Sequence, residues 1–250
     1  MQWLISRYQP TGLFSLKHGD ATSTGGKSLL VPTPFAIRTA LLDVAIRVDG
    51  IAAGPRAFAH IKALRLAMRP PAYAAVTSTF VKILKPERDA DVRGRKMQQT
   101  IAFREYVHLA GELALAFGGP TKTLTAVEPW LQQVNYFGKR GSFYQLLGPP
   151  ESIYTETEAL PTGFIELRGP DLMRGGTPSA FPLGILQRLD DWGEELTFTK
   201  VNIYARARDA SIKLGRERVR MDVVFPYTLV ISGRGFALYR RRDLSSTVLG

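Results

Sequence analysis

The order of helices and strands indicated by this 250-residue sequence predicts an α+β fold. The first half reads strand, helix, helix, strand, strand, helix, which is compatible with a ferredoxin-like unit that carries an insertion. The second half has short β segments between recurrent Gly and Pro residues, which predicts a mostly β part. Hydrophobic residues make up 45% of the chain, enough to bury a substantial core.

In the N-terminal part, alternating apolar residues indicate a strand, and helix-capping residues indicate where a helix begins and ends. Residues 2–8 predict the first strand. Thr33 is a suitable N-cap and Pro34 a suitable first residue for a helix that Gly50 ends. Apolar residues at helical spacing predict a second helix over 55–69.

The middle and the end of the chain contain the remaining predicted elements. Residues 73–84 and 100–117 predict strands that flank a charged stretch, 85–96. This stretch has almost no apolar content, so we expect a projecting hairpin or loop. Residues 124–134 predict a helix. Short strands are predicted at 163–167, 196–206, 219–224 and 228–239.

The charge indicates a polyanionic partner. The chain has 33 Lys and Arg against 22 Asp and Glu, a net charge of +11 and a pI near 10.0. Residues 151–195 hold nine acids against three arginines, whereas residues 200–242 hold eleven basic residues against three acids. This segregation favours a binding surface over a uniform solubilising charge. The acidic segment is a candidate protein-facing surface, and a basic scaffold that binds nucleic acid without sequence preference remains an alternative.

No motif predicts an active site, a metal site or a cofactor. The three histidines are scattered, without the spacing of a metal-ligand pair. His18, in a loop beside Lys17, could act as a general base in RNA cleavage, although a solvated loop histidine is the simpler interpretation. The acidic pairs 190–191 and 194–195 are typical of a solvated turn or a partner-facing patch. The chain has no cysteine, no signal-peptide pattern and no apolar run that would span a membrane, so a cytoplasmic protein is expected.

Three segments, in one order, resemble the CRISPR-associated Cas-five family of the RAMP superfamily. Residues 31–41, Val-Pro-Thr-Pro-Phe-Ala-Ile-Arg-Thr-Ala-Leu, are similar to the family's proline-threonine entry into its first helix. Residues 103–107, Phe-Arg-Glu-Tyr-Val, resemble the arginine-tyrosine strand after its charged insertion. Residues 136–142, Tyr-Phe-Gly-Lys-Arg-Gly-Ser, resemble its aromatic-Gly-basic-basic turn. The resemblance covers just under half of the chain.

The resemblance implies a ferredoxin-like (RRM-type) domain over 1–135 with a thumb hairpin at about 84–104, followed by a β-rich part over 136–250. It implies a non-enzymatic subunit of a type I CRISPR surveillance (Cascade) complex, acting in antiviral defence. Such a subunit caps the guide-RNA (crRNA) filament and holds its 5′ handle. It adjoins a backbone subunit and a large subunit and meets target DNA only indirectly. A metal-independent endoribonuclease that processes the guide precursor is the alternative, because one subtype of the family has that activity.

The residues expected to bind RNA combine cations for phosphate with aromatic rings for splayed bases. Some lie on the predicted thumb, some in the aromatic-Gly-basic turn, and two flank the start of the first helix. As alternatives, Phe137 could be a buried aromatic residue and Arg38 could pair with Asp43 or Asp20. The expected set is Lys27, Arg38, Arg93, Arg95, Lys96, Arg104, Tyr136, Phe137, Lys139 and Arg140.

Overall fold

The computed structural model describes residues 1–18, 25–86, 97–139, 141–155, 159–167, 184–204 and 211–242. Their helices are α1 (Pro34–Asp49), α2 (Gly54–Lys62), α3 (Thr121–Leu131) and α4 (Phe198–Val201). Their strands are β1 (Gln2–Pro10), β2 (Leu16–Lys17), β3 (Gly25–Gly26), β4 (Ser28–Leu29), β5 (Arg65–Arg69), β6 (Tyr73–Pro86), β7 (Met97–Ala110), β8 (Leu113–Gly119), β9 (Tyr144–Leu146), β10 (Glu151–Tyr154), β11 (Ile165–Glu166), β12 (Ile185–Trp192), β13 (Arg218–Phe225), β14 (Tyr227–Gly233) and β15 (Phe236–Arg241). Helices and strands are mixed and strands predominate, which confirms the α+β prediction at this level.

The first sheet has the order β10-β1-β8-β5-β11, and β9 pairs with the end of β1. All of these pairings are antiparallel. One face of the sheet contributes Leu4, Tyr8 and Phe117 to the core formed with α1, α2 and α3. The alternate residues Trp3 and Ile5 point to the other face. Because successive strand residues face opposite sides, both faces of this sheet are buried.

The first helix begins and ends as the sequence predicts. The Thr33 hydroxyl accepts a hydrogen bond from the amide of Ala36 at 3.2 Å, and Pro34 is the first helical residue. Gly50, at φ 83°, ends the helix and donates its N–H to the carbonyl of Ile46. Positive φ is accessible to Gly at little steric cost, so the chain leaves the helix there without strain.

The prediction of one helix over 55–69 is wrong in its second part. The helix α2 ends at Lys62, and Arg65–Arg69 forms the strand β5. The middle residues of β5 are buried, and the strand pairs with β8 on one side and β11 on the other. Residues 64, 66 and 68 are apolar. This spacing of two residues is also the spacing expected for one face of a β-strand. Pairing within the sheet, rather than local propensity, decided the structure.

The second sheet has the order β14-β15-β6-β7-β3 and is built on a long hairpin. The strands β6 and β7 pair from Tyr73 opposite Ala110 to Pro86 opposite Met97, so the hairpin is longer than the predicted thumb. Residues 87–96, which contain most of the charged stretch, lie outside the described residues. The prediction of one strand over 100–117 is wrong, because the chain turns at Gly111, φ 103°, between β7 and β8.

The C-terminal part also departs from its predicted elements. Residues 228–239 form two strands, β14 and β15, joined by the Gly233–Phe236 turn. Residues 198–201 form the helix α4, so the prediction of a strand over 196–206 is wrong in its described part. The strand β12 was not predicted, and it pairs with β13 to form a ribbon that packs on α1.

Candidate nucleic-acid interface

A cleft of about 800 Å³ lies between the β6–β7 hairpin, the loop around β2 and the β12–β13 ribbon. From the hairpin it is lined by Val81, Ile83, Arg104 and Tyr106. Its other walls come from segments distant in sequence, so it exists only in the folded chain. The described residues that complete its lining are Ser15, Leu16, Lys17, His18, Leu29, Thr33, Lys139, Arg188, Leu189, Asp190, Ile212, Leu214, Arg218 and Arg220.

The cleft is strongly cationic. Six Lys or Arg side chains line it together with His18, and Asp190 is the one acid among the described lining residues. A concave surface with this charge concentrates polyanions, because it focuses the electrostatic field into the cleft. Apolar and aromatic side chains between the charges provide surfaces on which bases can stack. The six cations are Lys17, Arg104, Lys139, Arg188, Arg218 and Arg220.

The guanidinium of Arg104 is held against the backbone of Gly26. The strand β3 pairs in parallel with β7, with Gly26 opposite Arg104. A Cβ atom at Gly26 would come within 2.6 Å of an Arg104 terminal nitrogen. A side chain at this position would push the Arg104 guanidinium aside, so Gly26 helps to set the direction of the arginine.

The β12–β13 ribbon presents charges to the cleft and apolar residues to the core. Along β13, Arg218 and Arg220 alternate with residues of the opposite face, where Val223 and Phe225 are buried. Arg188 forms an ion pair with Asp222 at 2.8 Å, and this hydrogen bond lowers the pKa of the Asp222 carboxyl. No motif in the sequence marks these arginines as site residues, although the alternation of residues along 218–225 was a usable signal.

Asp190 neutralises part of the cleft charge. Its carboxylate forms an ion pair with Arg218. The Arg218 guanidinium also lies 4.7 Å from the centroid of the Phe35 ring. Arg218 is therefore held by both an acid and an aromatic face, and part of its charge is balanced inside the chain.

Three of the expected RNA-binding residues remain accessible to a ligand. Arg104 and Lys139 line the cleft, and Lys27 is exposed next to β3. The expected residues Arg93, Arg95, Lys96 and Arg140 lie outside the described residues.

Arg38 is not available to RNA, which corrects the first of two expectations. Arg38 is buried, and its guanidinium donates hydrogen bonds to the carboxylate of Asp191. The side chain therefore cannot reach a bound phosphate. This partner is neither of the two acids considered from the sequence, of which Asp20 lies outside the described residues. The sequence predicts Asp191 in a solvated or partner-facing patch, but the structure buries it beside Arg38.

Phe137, the second corrected residue, is 1% exposed. Its ring packs edge-on against Tyr8 and Tyr144 at centroid distances of 5.2 and 5.0 Å. A ring enclosed in this way cannot stack on a base. The neighbouring Tyr136 is half-buried, and its hydroxyl donates to a carboxylate oxygen of Asp43 at 3.2 Å.

The acids of residues 151–195 mostly pair with cations of the same chain. In that segment the structure describes six acidic residues, and five of them form ion pairs. Much of the charge of this segment is therefore balanced within the chain, and its role as a surface for a protein partner stays a prediction. The pairs are Glu151 with Arg7, Glu166 with Arg65, Asp190 with Arg218, Asp191 with Arg38, and Glu195 with Arg216.

Two other kinds of site are not found among the described residues. Within them, no group of three His, Asp or Glu side chains is placed to hold a metal ion. None of the helices described is both long and apolar enough to cross a bilayer.

Comparison with known proteins supports the resemblance seen in the sequence. No family model matches the chain. A curated protein from Archaeoglobus fulgidus named CRISPR-associated protein Cas5 is 29% identical over 119 residues, which are 47% of this chain and 52% of that protein. Over that stretch the chain is similar in sequence to a Cas5 protein. It spans about half the length of this Cas5 relative, and the resemblance to the Cas-five family is thereby confirmed.

Two solved structures also align with this chain. A CRISPR protein from Archaeoglobus fulgidus aligns over 97% of this chain and 92% of its own, with a TM-score of 0.37 and 9% identity. A chain of a CRISPR RNA-guided surveillance complex aligns over 76% of both chains, with a TM-score of 0.38 and 16% identity.

Proposed function

We propose that this chain is the RNA-binding subunit of a type I CRISPR surveillance complex, and that it holds the guide RNA's 5′ handle in the cationic cleft. The observation that carries the proposal is the placement of Arg104 and Lys139 in one cleft. Both belong to segments that resemble the Cas-five family, and the two segments, residues 103–107 and 136–142, are separate in sequence. The chain acts in the cytoplasm as a binding subunit without catalytic activity.

The chemistry of the cleft suits single-stranded RNA. Phosphates are bound by arginine and lysine, and bases that leave a helix are held by aromatic and apolar faces. Tyr106, Val81 and Ile83 supply such faces beside the Arg104 guanidinium. Handle nucleotides are unpaired, so their bases are free to enter the cleft.

The fold supports a ferredoxin-like domain as part of this proposal. Around the first sheet the chain runs β1, α1 and α2, β5, β8, α3 and then β10, which is the βαββαβ order with one extra helix. The β6–β7 hairpin is inserted between β5 and β8 and serves as the thumb. The division at residue 135 remains part of the proposal, and strands from both sides of it share each of the two sheets.

The hairpin also offers a surface to a neighbouring subunit. Its face directed away from the cleft exposes Phe80, Leu84 and Ile101, with Phe80 73% exposed. The Phe80 and Phe103 rings touch at 5.3 Å between centroids. Exposed aromatic and aliphatic clusters of this kind mark protein interfaces. We assign this face to a backbone subunit of the complex, while the large subunit and target DNA lie beyond the chain itself.

A filter-binding titration with a single-stranded handle RNA of about 8 nucleotides tests the proposal. The double variant Arg104→Ala/Lys139→Ala should bind at least about tenfold more weakly. Its log–log salt slope should also be shallower by about 1.4, since each phosphate contact with a single strand contributes about 0.7. Unchanged affinity and an unchanged slope would exclude the cleft as the RNA site.

Arg56→Ala/Lys122→Ala is the matched control. Both residues are exposed, both lie outside the cleft lining, and the change in net charge is the same. The control should retain the affinity and salt slope of the wild-type protein. An equal loss in both double variants would instead indicate a general basic scaffold whose affinity depends only on net charge.

A second candidate function, metal-independent cleavage of the guide precursor, is favoured by one observation. His18 lines the cleft together with Lys17 and Tyr106, so a general base lies where RNA would bind. Repeat RNA incubated with the purified protein and a chelator should then give a discrete product that His18→Ala abolishes. Intact RNA after prolonged incubation would exclude this activity and leave the binding subunit.

A further inference from the structure

The second sheet has one face directed to the core and one directed to solvent. On the core side, Ala74, Val107, Leu109 and Tyr227 are buried. On the solvent side the alternate residues of β6, β7, β14 and β15 are exposed or half-buried, except Ala102 in the hairpin, which is buried. We call this solvent side the outer face. It is not used by the cleft, except at the end where the hairpin contributes to the lining.

The strand register aligns the outer face in rows that cross the sheet. One row runs from Tyr106 through Thr77 to Phe236. Directly paired residues share a face, so the rows two residues further along share it too. The second row is His108, Ala75, Leu238 and Ile231, and the third is Ala110, Tyr73, Arg240 and Thr228.

The outer face continues directly from the cleft. Arg104 lies two residues before Tyr106 on β7 and so points to the same side, and both residues line the cleft. Phe236 lies two strands from Tyr106, a separation of roughly 10 Å. An RNA strand that leaves the cleft beside Tyr106 therefore meets the Phe236 ring next, without crossing an edge of the sheet.

The chemistry of the outer face suits a single-stranded polyanion. Phe236 is 50% exposed and Tyr73 is 42% exposed, so each offers a ring to a base. Arg240 is exposed beside Tyr73 in the third row, and Arg234 is exposed in the turn before Phe236.

Acidic charge is absent from this face along the described lengths of β6, β7, β14 and β15. Their one acid is Glu105, which lies on the opposite face, where its carboxylate accepts a hydrogen bond from the amide of Ser28. Charge complementarity and continuity with the cleft therefore favour RNA over a protein as the occupant of this face.

We infer that the outer face is a second RNA-binding platform, which stacks bases on Phe236 and Tyr73 and binds phosphate at Arg240 after the strand leaves the cleft. The inference rests on the proposed RNA-binding function and extends the bound strand beyond the handle's first nucleotides. It predicts that a longer RNA strand binds more tightly than a short one, because the outer face adds binding energy to that of the cleft.

Titrations with two fluorescent oligouridylates, of about 5 and about 14 nucleotides, test the platform on the full chain. The wild-type protein should bind the longer strand at least about tenfold more tightly than the shorter one. Phe236→Ala/Tyr73→Ala should remove most of this difference and leave the shorter strand unaffected. Phe236→Trp/Tyr73→Phe should preserve it, since both replacements keep an aromatic face.

The salt dependence of RNA binding by Arg240→Ala distinguishes a lost phosphate contact from a structural defect. Its salt slope should fall by about 0.7 for the longer strand and stay unchanged for the shorter one. Thermal unfolding of each variant checks the fold, and Lys122→Ala is the charge-matched control.

The experiment distinguishes failure of the platform proposal from failure of the proposed function. If the short strand binds through Arg104 and Lys139 but the longer strand gains no affinity, the platform is overturned and the proposed function stands. The platform is likewise overturned if Phe236→Ala/Tyr73→Ala leaves the gain intact, and the outer face is then assigned to a protein partner. If neither strand depends on Arg104 and Lys139, the proposed function itself fails.

Discussion

The guanidinium of Arg38 is bonded to both carboxylate oxygens of Asp191, at 2.7 and 3.2 Å, across 153 residues of sequence. The same guanidinium donates to the carbonyls of Ile61 and Leu64, at and beyond the end of α2. Arg38 thus joins α1, the α2–β5 connection and the β12–β13 ribbon. This pair fixes the ribbon that forms one wall of the cleft.

Removing one partner of this pair should strongly destabilise the chain. Arg38→Ala leaves the Asp191 carboxylate buried without its cation, which typically costs about 3–5 kcal/mol. Urea unfolding followed by circular dichroism measures the free energy of unfolding. Arg216→Ala, which breaks the exposed pair with Glu195, should cost less than about 1 kcal/mol. Equal losses in the two variants would contradict a structural role for Arg38.

Two buried tyrosines should respond in opposite ways to removal of the hydroxyl. The Tyr8 hydroxyl donates to the carbonyl of Leu131 at 2.8 Å, so Tyr8→Phe should lose about 1 kcal/mol of stability. The Tyr144 hydroxyl is buried and has no hydrogen-bond partner among the described residues. Tyr144→Phe should therefore be neutral or stabilising by about 1 kcal/mol, because it removes an unsatisfied polar group. A loss as large as that of Tyr8→Phe would contradict this assignment.

Alkaline pH should destabilise the folded chain because buried tyrosines resist ionisation. Burial raises the pKa of Tyr8, Tyr144 and Tyr227 above the ordinary value. These phenols ionise in the unfolded chain from about pH 10 but stay protonated in the folded chain. Stability is thus fully present below about pH 10 and falls as the pH rises above it. Urea midpoints between about pH 8 and about pH 11 measure this fall in stability.

The tyrosine variants provide the control for this pH dependence. Tyr144→Phe should reduce the alkaline loss of stability, whereas Tyr154→Phe should not, since Tyr154 is exposed at the sheet edge. A wild-type urea midpoint that stays constant up to about pH 11 would show that the buried tyrosines do not control alkaline unfolding.

Gly26→Ala should weaken RNA binding without a comparable loss of stability. The added methyl would displace the terminal part of the Arg104 side chain, which is flexible. We expect a several-fold loss of affinity for the handle RNA and no further loss in an Arg104→Ala background. Gly12→Ala is the control, because a Cβ there meets nothing within 4 Å. An additive loss in the double variant would mean that Gly26 does not act through Arg104.

Asp190→Asn should strengthen RNA binding. The substitution removes the acid of the cleft lining and releases the charge of Arg218 toward phosphate. Affinity should rise several-fold, with a steeper salt dependence. Glu194→Gln makes the same change in charge at an exposed position outside the lining and should have little effect. Weaker binding by Asp190→Asn would show that the ion pair orients Arg218 for RNA.

Local signals were sufficient for some elements of the fold. The helix α1 has its N-cap at Thr33 and its end at Gly50 as the sequence indicates, because capping depends on neighbours within four residues. The strand β5 was mistaken for helix, because its conformation depends on β8, which lies about fifty residues away.

The residues of the candidate site also differ in whether the sequence indicates them or only the tertiary structure does. Arg104 and Lys139, which the resemblance to a known family implies as RNA-binding residues, line the cleft, and their binding of RNA stays a prediction. Arg188, Arg218 and Arg220 were missed, because only the packing of the β12–β13 ribbon on α1 brings them to the same cleft. Arg38 and Phe137 looked like ligands for RNA, but burial assigns both to the core.

The sequence by itself determined the net positive charge, the mixed fold class and the likeness to Cas5 proteins, because composition, local spacing and motif order do not depend on tertiary contacts. Only the tertiary structure decided which cations remain for a ligand. The acids of residues 151–195 that the structure describes mostly pair with arginines from remote segments, and six cations from separate segments come together in the cleft. The physical reason is that an ion pair or a cleft depends on distances between atoms, and residues far apart in sequence acquire those distances only when the chain folds.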